Sequence, residues 1–189
     1  YDLDAVVWAC TSGSFVFGWE GAKEQVDRLA QAYGVPATST SFSFVSAAHA
    51  LDARRVAVAA TYPQDVAEAF VQFLGAGGLE VLSLSSAGIL TAAEVGTLGR
   101  DEVLEWAVAN DHPGADALLL PDTALHTVAW LEDLEQRLDK PVLTANQVSV
   151  WEGLQIAGST RTYGGVGALF RSASRAGGRA SLPSGEGES

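Results

Sequence analysis

Short apolar runs alternate with longer amphipathic segments along most of this sequence. Apolar and β-branched runs are typical of strands in a parallel sheet covered on both faces, whereas a 3.6-residue period is typical of helices. The pattern predicts strands at residues 3–9, 35–38, 55–60, 80–84, 117–120 and 140–144. It predicts helices at residues 21–33, 44–51, 63–74, 100–109, 123–138 and 148–157. Because strands alternate with helices, the predicted fold class is α/β with parallel sheets joined by βαβ crossovers.

Two of the apolar runs end alike, with an ionisable residue followed by threonine. One run ends at Cys10-Thr11 and the other, 117–120, leads into Asp122-Thr123. The repeated pattern suggests two similar lobes with a site between them. Ligands of parallel α/β folds bind at the carboxyl ends of the strands. If the two turns face each other, a thiol and a carboxyl group flank one cavity, where they could move protons or attack carbon.

Cys10 is the only cysteine of the chain, and a turn rich in hydroxyl groups follows it. Backbone amides in such a turn suit a carboxylate, and the positive end of a helix favours the reactive thiolate. A lone cysteine is just as often a small core residue. Asp122 also has two interpretations: the N-cap of the helix predicted at 123–138, or a proton donor near Cys10. Both pairs of interpretations stay open at this point.

Three further polar residues lie close to predicted strand ends. Tyr62 follows the strand at 55–60, and its hydroxyl is suited either to an oxyanion of a substrate or to ordinary packing at an interface. His126 lies one turn after Asp122, where a surface position is favoured over a basic role. Asn146 is interpreted as a cap of the last helix.

Composition excludes several classes of function. The formal net charge of −12 disfavours nucleic acid and anionic membranes as partners. No apolar stretch approaches the roughly 20 residues of a membrane-spanning helix. The three histidines and one cysteine show no metal-ligand spacing, so no metal is expected. A single thiol also suits a reducing compartment, which predicts a cytoplasmic protein.

The domain organisation is predicted from the same pattern. Residues 1–48 together with 146–170 are assigned to a first lobe and residues 49–145 to a second. Residues 171–189 are rich in Gly, Ser, Arg and Glu and are predicted to form a disordered tail. The chain begins at Tyr1, two residues before a strand, and contains no Met, which suggests that an upstream segment is missing.

Four stretches together resemble the Asp/Glu/hydantoin racemase superfamily. They are residues 9–15, 54–62, 116–127 and 140–147, and they follow one another in the order and approximate spacing of that superfamily. Within it, the branch of maleate cis-trans isomerases and arylmalonate decarboxylases is the most similar. The resemblance covers roughly residues 1–158.

The resemblance implies two pseudo-symmetric Rossmann-like lobes with the active site in the cleft between them, and no metal or organic cofactor. Cys10 then occupies the first catalytic cysteine position, and Asp122 stands where the family usually has its second cysteine. The remaining site residues would bind the carboxylate or a developing enediolate. They are Thr11, Ser12, Tyr62 and Thr123. A homodimer is compatible with this family.

The expected function is therefore that of a cofactor-independent isomerase, racemase or decarboxylase acting on a small carboxylic acid. Cys10 would act as nucleophile or base, and Asp122 as its acidic partner. The alternative is a non-catalytic protein that binds a small carboxylate and has lost half of the catalytic pair.

Overall fold

The computed structural model describes residues 2–171. The strands in this range are β1 Val6–Trp8, β2 Ala37–Ser39, β3 Arg55–Ala60, β4 Glu80–Ser86, β5 Ala117–Leu120 and β6 Val142–Thr144. The helices are α1 Ser12–Phe15, α2 Gly18–Tyr33, α3 Thr40–Ala50, α4 Gln64–Ala76, α5 Ala92–Val95, α6 Arg100–Ala109, α7 Leu131–Leu138, α8 Ala145–Ile156 and α9 Ala168–Arg171. A 3-10 turn at Val128–Trp130 precedes α7.

All the strand pairs of the described chain are parallel. Strands β1 and β2 form a two-stranded sheet, and the other four form a sheet in the order β4-β3-β5-β6. The α/β fold with parallel sheets is thus confirmed. The two sheets fall on either side of residue 49, where we predict the boundary between lobes; the boundary itself stays a prediction.

The central strand β3 is buried on both faces. Successive side chains of a strand point to opposite sides, so Val56 and Val58 enter one apolar cluster while Ala57 and Ala59 enter the other. Helices α1, α2, α3, α4 and α8 supply the first cluster, and α5, α6 and α7 supply the second. Strand β5 is equally buried. The site therefore rests on two strands that packing holds rigidly from both sides.

Strand β1 differs from its prediction. A strand at 3–9, covered on both faces, was expected, but β1 spans only Val6–Trp8 and Trp8 is 41 % exposed. Among the described residues β1 pairs with β2 alone, so few neighbours are available to cover it. The long apolar run correctly predicted a strand, but it could not predict how many strands lie beside it.

The predicted helix at 123–138 is also wrong in its first half. Residues after Asp122 form a turn, and α7 begins only at Leu131. The Asp122 carboxylate accepts a hydrogen bond from the Ala124 amide, and Asn146 donates to the carbonyls of Thr123 and Leu125. These side-chain bonds occupy backbone groups that a helix would need.

The end of the described chain packs against α7. The Glu135 carboxylate accepts hydrogen bonds from the amide of Ala168 and from the guanidinium of Arg171. Arg171, the first residue of the predicted tail, thus ends α9, and residues 172–189 lie outside the described residues, as does Tyr1. Within the described range no helix is long and apolar enough to cross a membrane.

We expect Phe70→Ala to destabilise the fold by about 3–5 kcal/mol, because it removes a large side chain from a close-packed interior. Phe70 is fully buried, with its ring centroid 5.1 Å from that of Phe15 and 5.5 Å from that of Phe44. Urea unfolding measures the change. The control is Val108→Ala at a position 46 % exposed, which should cost less than about 1 kcal/mol. Equal effects of the two substitutions would contradict this account of the core.

Candidate active site

The site lies at the point of the four-stranded sheet where the chain continues from neighbouring strands in opposite directions. From β3 the chain proceeds to β4 on one side of the sheet, and from β5 it proceeds to β6 on the other. Since β3 and β5 are neighbours, their following loops diverge and leave a crevice at their carboxyl ends. Tyr62 follows β3 and Asp122 follows β5, so both stand at this crevice.

A cavity of about 400 Å³ occupies the crevice and extends to the turn after β1. It brings together the six residues that the family resemblance assigns to the site: Cys10, Thr11, Ser12, Tyr62, Asp122 and Thr123. The volume suits a small organic molecule. The two similar turns thus line one cavity, with a thiol and a carboxyl group in its walls.

The thiol of Cys10 is partly exposed and sits on a tight turn. The Cys10 amide donates to the Trp8 carbonyl at 2.9 Å. A Cβ atom at Gly13 would lie 3.0 Å from the Cys10 sulfur and 3.0 Å from Nε1 of Trp8, so glycine leaves room for the thiol. Helix α1, which starts after this turn, has only four residues. The helix-dipole effect expected at Cys10 is therefore small.

Thr11 places a buried hydroxyl in the wall of the cavity. The residue is 1 % exposed, and its hydroxyl lies near that of Tyr62 without forming a regular hydrogen bond. It does not cap α1, while its carbonyl accepts a hydrogen bond from the Ser41 hydroxyl at 2.7 Å. An unpartnered hydroxyl in a cavity wall is costly unless a ligand or water binds it. Thr11 therefore offers a donor to an occupant of the cavity.

Asp122 is held by bonds to both of its oxygens. Oδ2 accepts from the hydroxyl of Thr61 at 2.5 Å, and Oδ1 accepts from the amide of Ala124 at 2.8 Å. The alternative interpretation of Asp122 as a helix N-cap is wrong, because a turn follows it instead of a helix. The residue is 8 % exposed yet lines the cavity. Its carboxyl group is thus fixed in place and still faces the site.

Tyr62 lies close enough to both Cys10 and Asp122 for the charge of each to affect its phenol. Its hydroxyl donates to the Pro121 carbonyl at 2.5 Å, and its ring lies 5.8 Å from that of Phe15. Burial raises the pKa of Tyr62 far above its ordinary value, and the charge of Asp122 and that of the Cys10 thiolate raise it further. The phenol is therefore neutral in the working range of pH and keeps its proton for hydrogen bonding.

Other predicted residues lie elsewhere. His126 is exposed and does not line the cavity. Asn146 is not the cap of α8, since it lies within the first turn and binds the carbonyls of the turn after Asp122. Gln147 instead accepts from the amide of Thr144, the N-cap residue of α8.

The sequence analysis missed the apolar wall of the cavity. Its side chains come from the residue after α1, from α4, and from the segment after β4 that includes α5: Val16, Val66, Ile89, Leu90 and Val95. Thr91 of that segment adds a hydroxyl group to the lining. The segment after β4 follows the carboxyl end of a parallel strand, and that position could have marked it as part of the site. Its Ile89-Leu90 pair has no strand or helix periodicity to mark it.

A family model for arylmalonate decarboxylase matches residues 2–170. The chain belongs to this family. It is 28 % identical over 145 residues to arylmalonate decarboxylase of Bordetella bronchiseptica, covering 75 % of this chain and 60 % of that one. It is 27 % identical over 134 residues to maleate isomerase of Nocardia farcinica, covering 70 % of this chain and 53 % of that one. The chain thus spans less than two thirds of the length of these two curated relatives.

Solved structures show the same fold. A double mutant of arylmalonate decarboxylase in liganded form has a TM-score of 0.84 at 28 % identity, covering 88 % of this chain and 72 % of that one. A serine mutant of the Nocardia farcinica isomerase, with a covalently bound succinylcysteine intermediate, has a TM-score of 0.83 at 25 % identity. It covers 89 % of this chain and 71 % of that one.

We expect Gly13→Ala to change the reactivity of the thiol without unfolding the chain. The new methyl group must displace the Cys10 sulfur or the Trp8 ring by a few tenths of an ångström, since both lie 3.0 Å from the position of the Cβ atom. The iodoacetamide labelling rate measures the effect and reports on Cys10 alone, because the chain has one cysteine. Gly75→Ala is the control, since its Cβ would contact nothing within 4 Å. Equal labelling rates in the two variants would contradict the proposed crowding.

We expect Tyr62→Phe to lower the stability by about 1 kcal/mol at neutral pH, through loss of the hydrogen bond to Pro121. The deficit should shrink as pH rises above about 10, where an unfolded tyrosine ionises. The raised pKa keeps Tyr62 protonated in the folded state, so only the unfolded wild type releases that proton and gains from high pH. Urea unfolding from about pH 7 to pH 11 measures the difference. A deficit independent of pH would contradict the raised pKa.

Proposed function

We propose that this chain carries the active site of a cofactor-independent isomerase, racemase or decarboxylase that acts on a small carboxylic acid. The observation that supports the proposal is the single cavity lined by Cys10, Thr11, Ser12, Tyr62, Asp122 and Thr123. Membership of the arylmalonate decarboxylase family adds support, since the curated relatives are named as a decarboxylase and an isomerase.

In this proposal Cys10 supplies the reactive thiolate. The Nocardia farcinica isomerase holds a succinylcysteine intermediate, so a cysteine of that relative bonds to carbon. Cys10 is partly exposed to the cavity, and Gly13 leaves space beside its sulfur. A thiolate here either adds to a carbon–carbon double bond or takes the proton from the carbon next to a carboxylate.

The hydroxyl groups of the cavity bind the carboxylate of the substrate. Thr11 offers a buried and unpartnered hydroxyl, with Ser12 and Thr123 in the same lining. The neutral phenol of Tyr62 lies beside both walls and can turn its hydroxyl from the Pro121 carbonyl to the substrate. Donors placed in this way stabilise the negative charge that builds up on the carboxylate as an enediolate forms.

Asp122 acts as the acidic partner across the cavity. In its protonated form Asp122 donates a proton to the enediolate carbon on the face away from Cys10. The electron pair of the enediolate forms the new bond between carbon and hydrogen, and Asp122 is left as a carboxylate. Its bonds to Thr61 and Ala124 fix the direction from which that proton arrives. The step needs no metal or organic cofactor, because the carboxylate of the substrate itself holds the electron pair.

The test is the exchange of solvent deuterium into the carbon next to the carboxylate, followed by NMR over a panel of small carboxylic acids. We expect exchange with the wild type and a loss of about 10²–10⁴-fold in Cys10→Ser, which keeps the size of the side chain but not the thiol. Asp122→Asn should also slow the exchange, because amide nitrogen cannot return the proton.

Two outcomes would contradict the proposal. Exchange that persists in Cys10→Ser would exclude the thiolate as base or nucleophile. Tight binding of an acid that never exchanges, in a folded wild type, would favour the non-catalytic carboxylate binder instead.

A further inference from the structure

The cavity holds a nucleophile beside a hydrogen-bond donor that lacks a partner. The Cys10 thiol is partly exposed, and Gly13 leaves space next to its sulfur. The hydroxyl of the adjacent Thr11 is buried, lines the same cavity and has no hydrogen-bond partner among the described residues. A buried donor of this kind is suited to an oxygen atom of a bound molecule. A thiol and such a donor are the first two parts that acyl transfer requires.

Tyr62 places a second donor near the same thiol. Its phenol lies close enough to Cys10 to respond to the charge of the thiolate, and it also lies near the Thr11 hydroxyl. Burial raises the pKa of Tyr62 well above its ordinary value, so the phenol keeps a proton that it can turn from the Pro121 carbonyl. When a thiolate attacks a carbonyl group, negative charge forms on the carbonyl oxygen. The hydroxyls of Thr11 and Tyr62 are both placed to stabilise that charge.

The carboxylate of Asp122 supplies a base in the same cavity. Its two oxygens accept one hydrogen bond each, from Thr61 and from Ala124, so each oxygen keeps a free lone pair. A carboxylate with a free lone pair can take a proton from a thiol or from a water molecule. The described residues that line the cavity include no Lys, Arg or His, so no basic nitrogen competes for this role.

Size and charge restrict what such a thiol can acylate from. The cavity of about 400 Å³ accommodates a small organic molecule. Asp122 is the charged side chain of the described lining, and an uncharged molecule approaches it without electrostatic repulsion. A small neutral ester meets both conditions, because its carbonyl oxygen becomes negative only when the thiolate attacks.

We propose that this site has a second activity, the hydrolysis of small uncharged esters through an acyl intermediate on Cys10. Cys10 is the nucleophile, and Asp122 carries the proton. The hydroxyls of Thr11 and Tyr62 stabilise the oxyanion. This activity goes beyond the function proposed above, because it breaks the bond between an acyl carbon and oxygen and needs no acidic hydrogen on the substrate.

Each half of the reaction balances with water as the second reactant. The Asp122 carboxylate takes the thiol proton, the thiolate bonds to the carbonyl carbon, and the bond to the leaving oxygen breaks as that oxygen receives the proton. Asp122 then takes a proton from water while the water oxygen bonds to the acyl carbon. The bond between carbon and sulfur breaks, and the Cys10 thiolate takes the proton back. Ester and water thus become acid and alcohol without an oxidant or a reductant.

The probe is p-nitrophenyl acetate, whose cleavage releases a coloured phenolate. We expect the wild type to release a burst of one phenolate per chain and then to turn over steadily, with one acetyl group found on Cys10 by mass spectrometry. Cys10→Ser should lose both phases. Asp122→Asn should lower the steady rate by about 10²–10⁴-fold and the burst rate far less. Solvent can take the thiol proton, whereas the attacking water has no other base in the described lining.

A matched pair of variants tests the oxyanion role of Thr11. Thr11→Val keeps the shape and removes the hydroxyl, so it should lower the burst rate by about 10²-fold. Thr11→Ser keeps the hydroxyl and should recover most of that loss. Labelling of Cys10 with iodoacetamide forms no oxyanion, so its rate should change far less than the burst rate in Thr11→Val. Equal losses in labelling and in the burst would contradict the assigned role of Thr11.

The chain unfolded in urea is the control for the thiol alone, because it keeps Cys10 and loses the cavity. It should become acetylated slowly and show no turnover. A folded wild type that stops after one phenolate per chain, or that reacts no faster than the unfolded chain, would overturn the proposed hydrolysis. Turnover that persists in Cys10→Ser would overturn it as well. Deuterium exchange is measured on other substrates and at another bond, so failure of either proposal leaves the other standing.

Discussion

Two hydrogen bonds between neighbouring strand ends fix the geometry of one wall of the site. Thr61 bonds to the Asp122 side chain, and Tyr62 bonds to the Pro121 carbonyl, so two consecutive residues after β3 hold two consecutive residues after β5. The chain leaves these strands in opposite directions, which alone would leave the crevice free to widen. Because β3 and β5 are buried on both faces, the paired loops stand on a rigid base. One wall of the cavity is therefore set before any ligand arrives.

The same bonds explain why a turn and not a helix follows β5. A buried carboxylate must have partners, and Asp122 obtains them from the Thr61 hydroxyl and from the Ala124 amide two residues ahead. The second bond closes a local turn, and Asn146 then takes the carbonyls of Thr123 and Leu125. Asp122 thus shapes the turn that presents it to the cavity. Its structural role and its proposed chemical role depend on the same hydrogen bonds.

The buried strands and the location of the site could be predicted, because both follow from patterns within short segments. The apolar run at 117–120 became β5, and the parallel arrangement placed Asp122 at a carboxyl end. The turn after Asp122 could not be predicted, since an aspartate before an apolar pattern fits an N-cap equally well. The exposure of β1 depends on how many strands lie beside it, and the apolar wall depends on how the segment with Ile89 and Leu90 folds back. Neither is encoded in local periodicity.

The two walls differ in how firmly they are held, and this difference bears on the chemistry. The Asp122 wall is tied to the four-stranded sheet, whereas Cys10 follows the short and partly exposed strand β1. The Cys10 turn is held by the Ser41 bond to the Thr11 carbonyl and by the Gln25 bond to the Gly13 carbonyl, rather than by a buried strand pair. In the proposed mechanism a thiol on the less constrained wall can adjust its approach to carbon, while the carboxyl group on the other wall stays fixed. The proposed nucleophile and the proposed proton donor therefore lie on walls of unequal rigidity, so a substitution near Cys10 can move the thiol while Asp122 keeps its hydrogen bonds to Thr61 and Ala124.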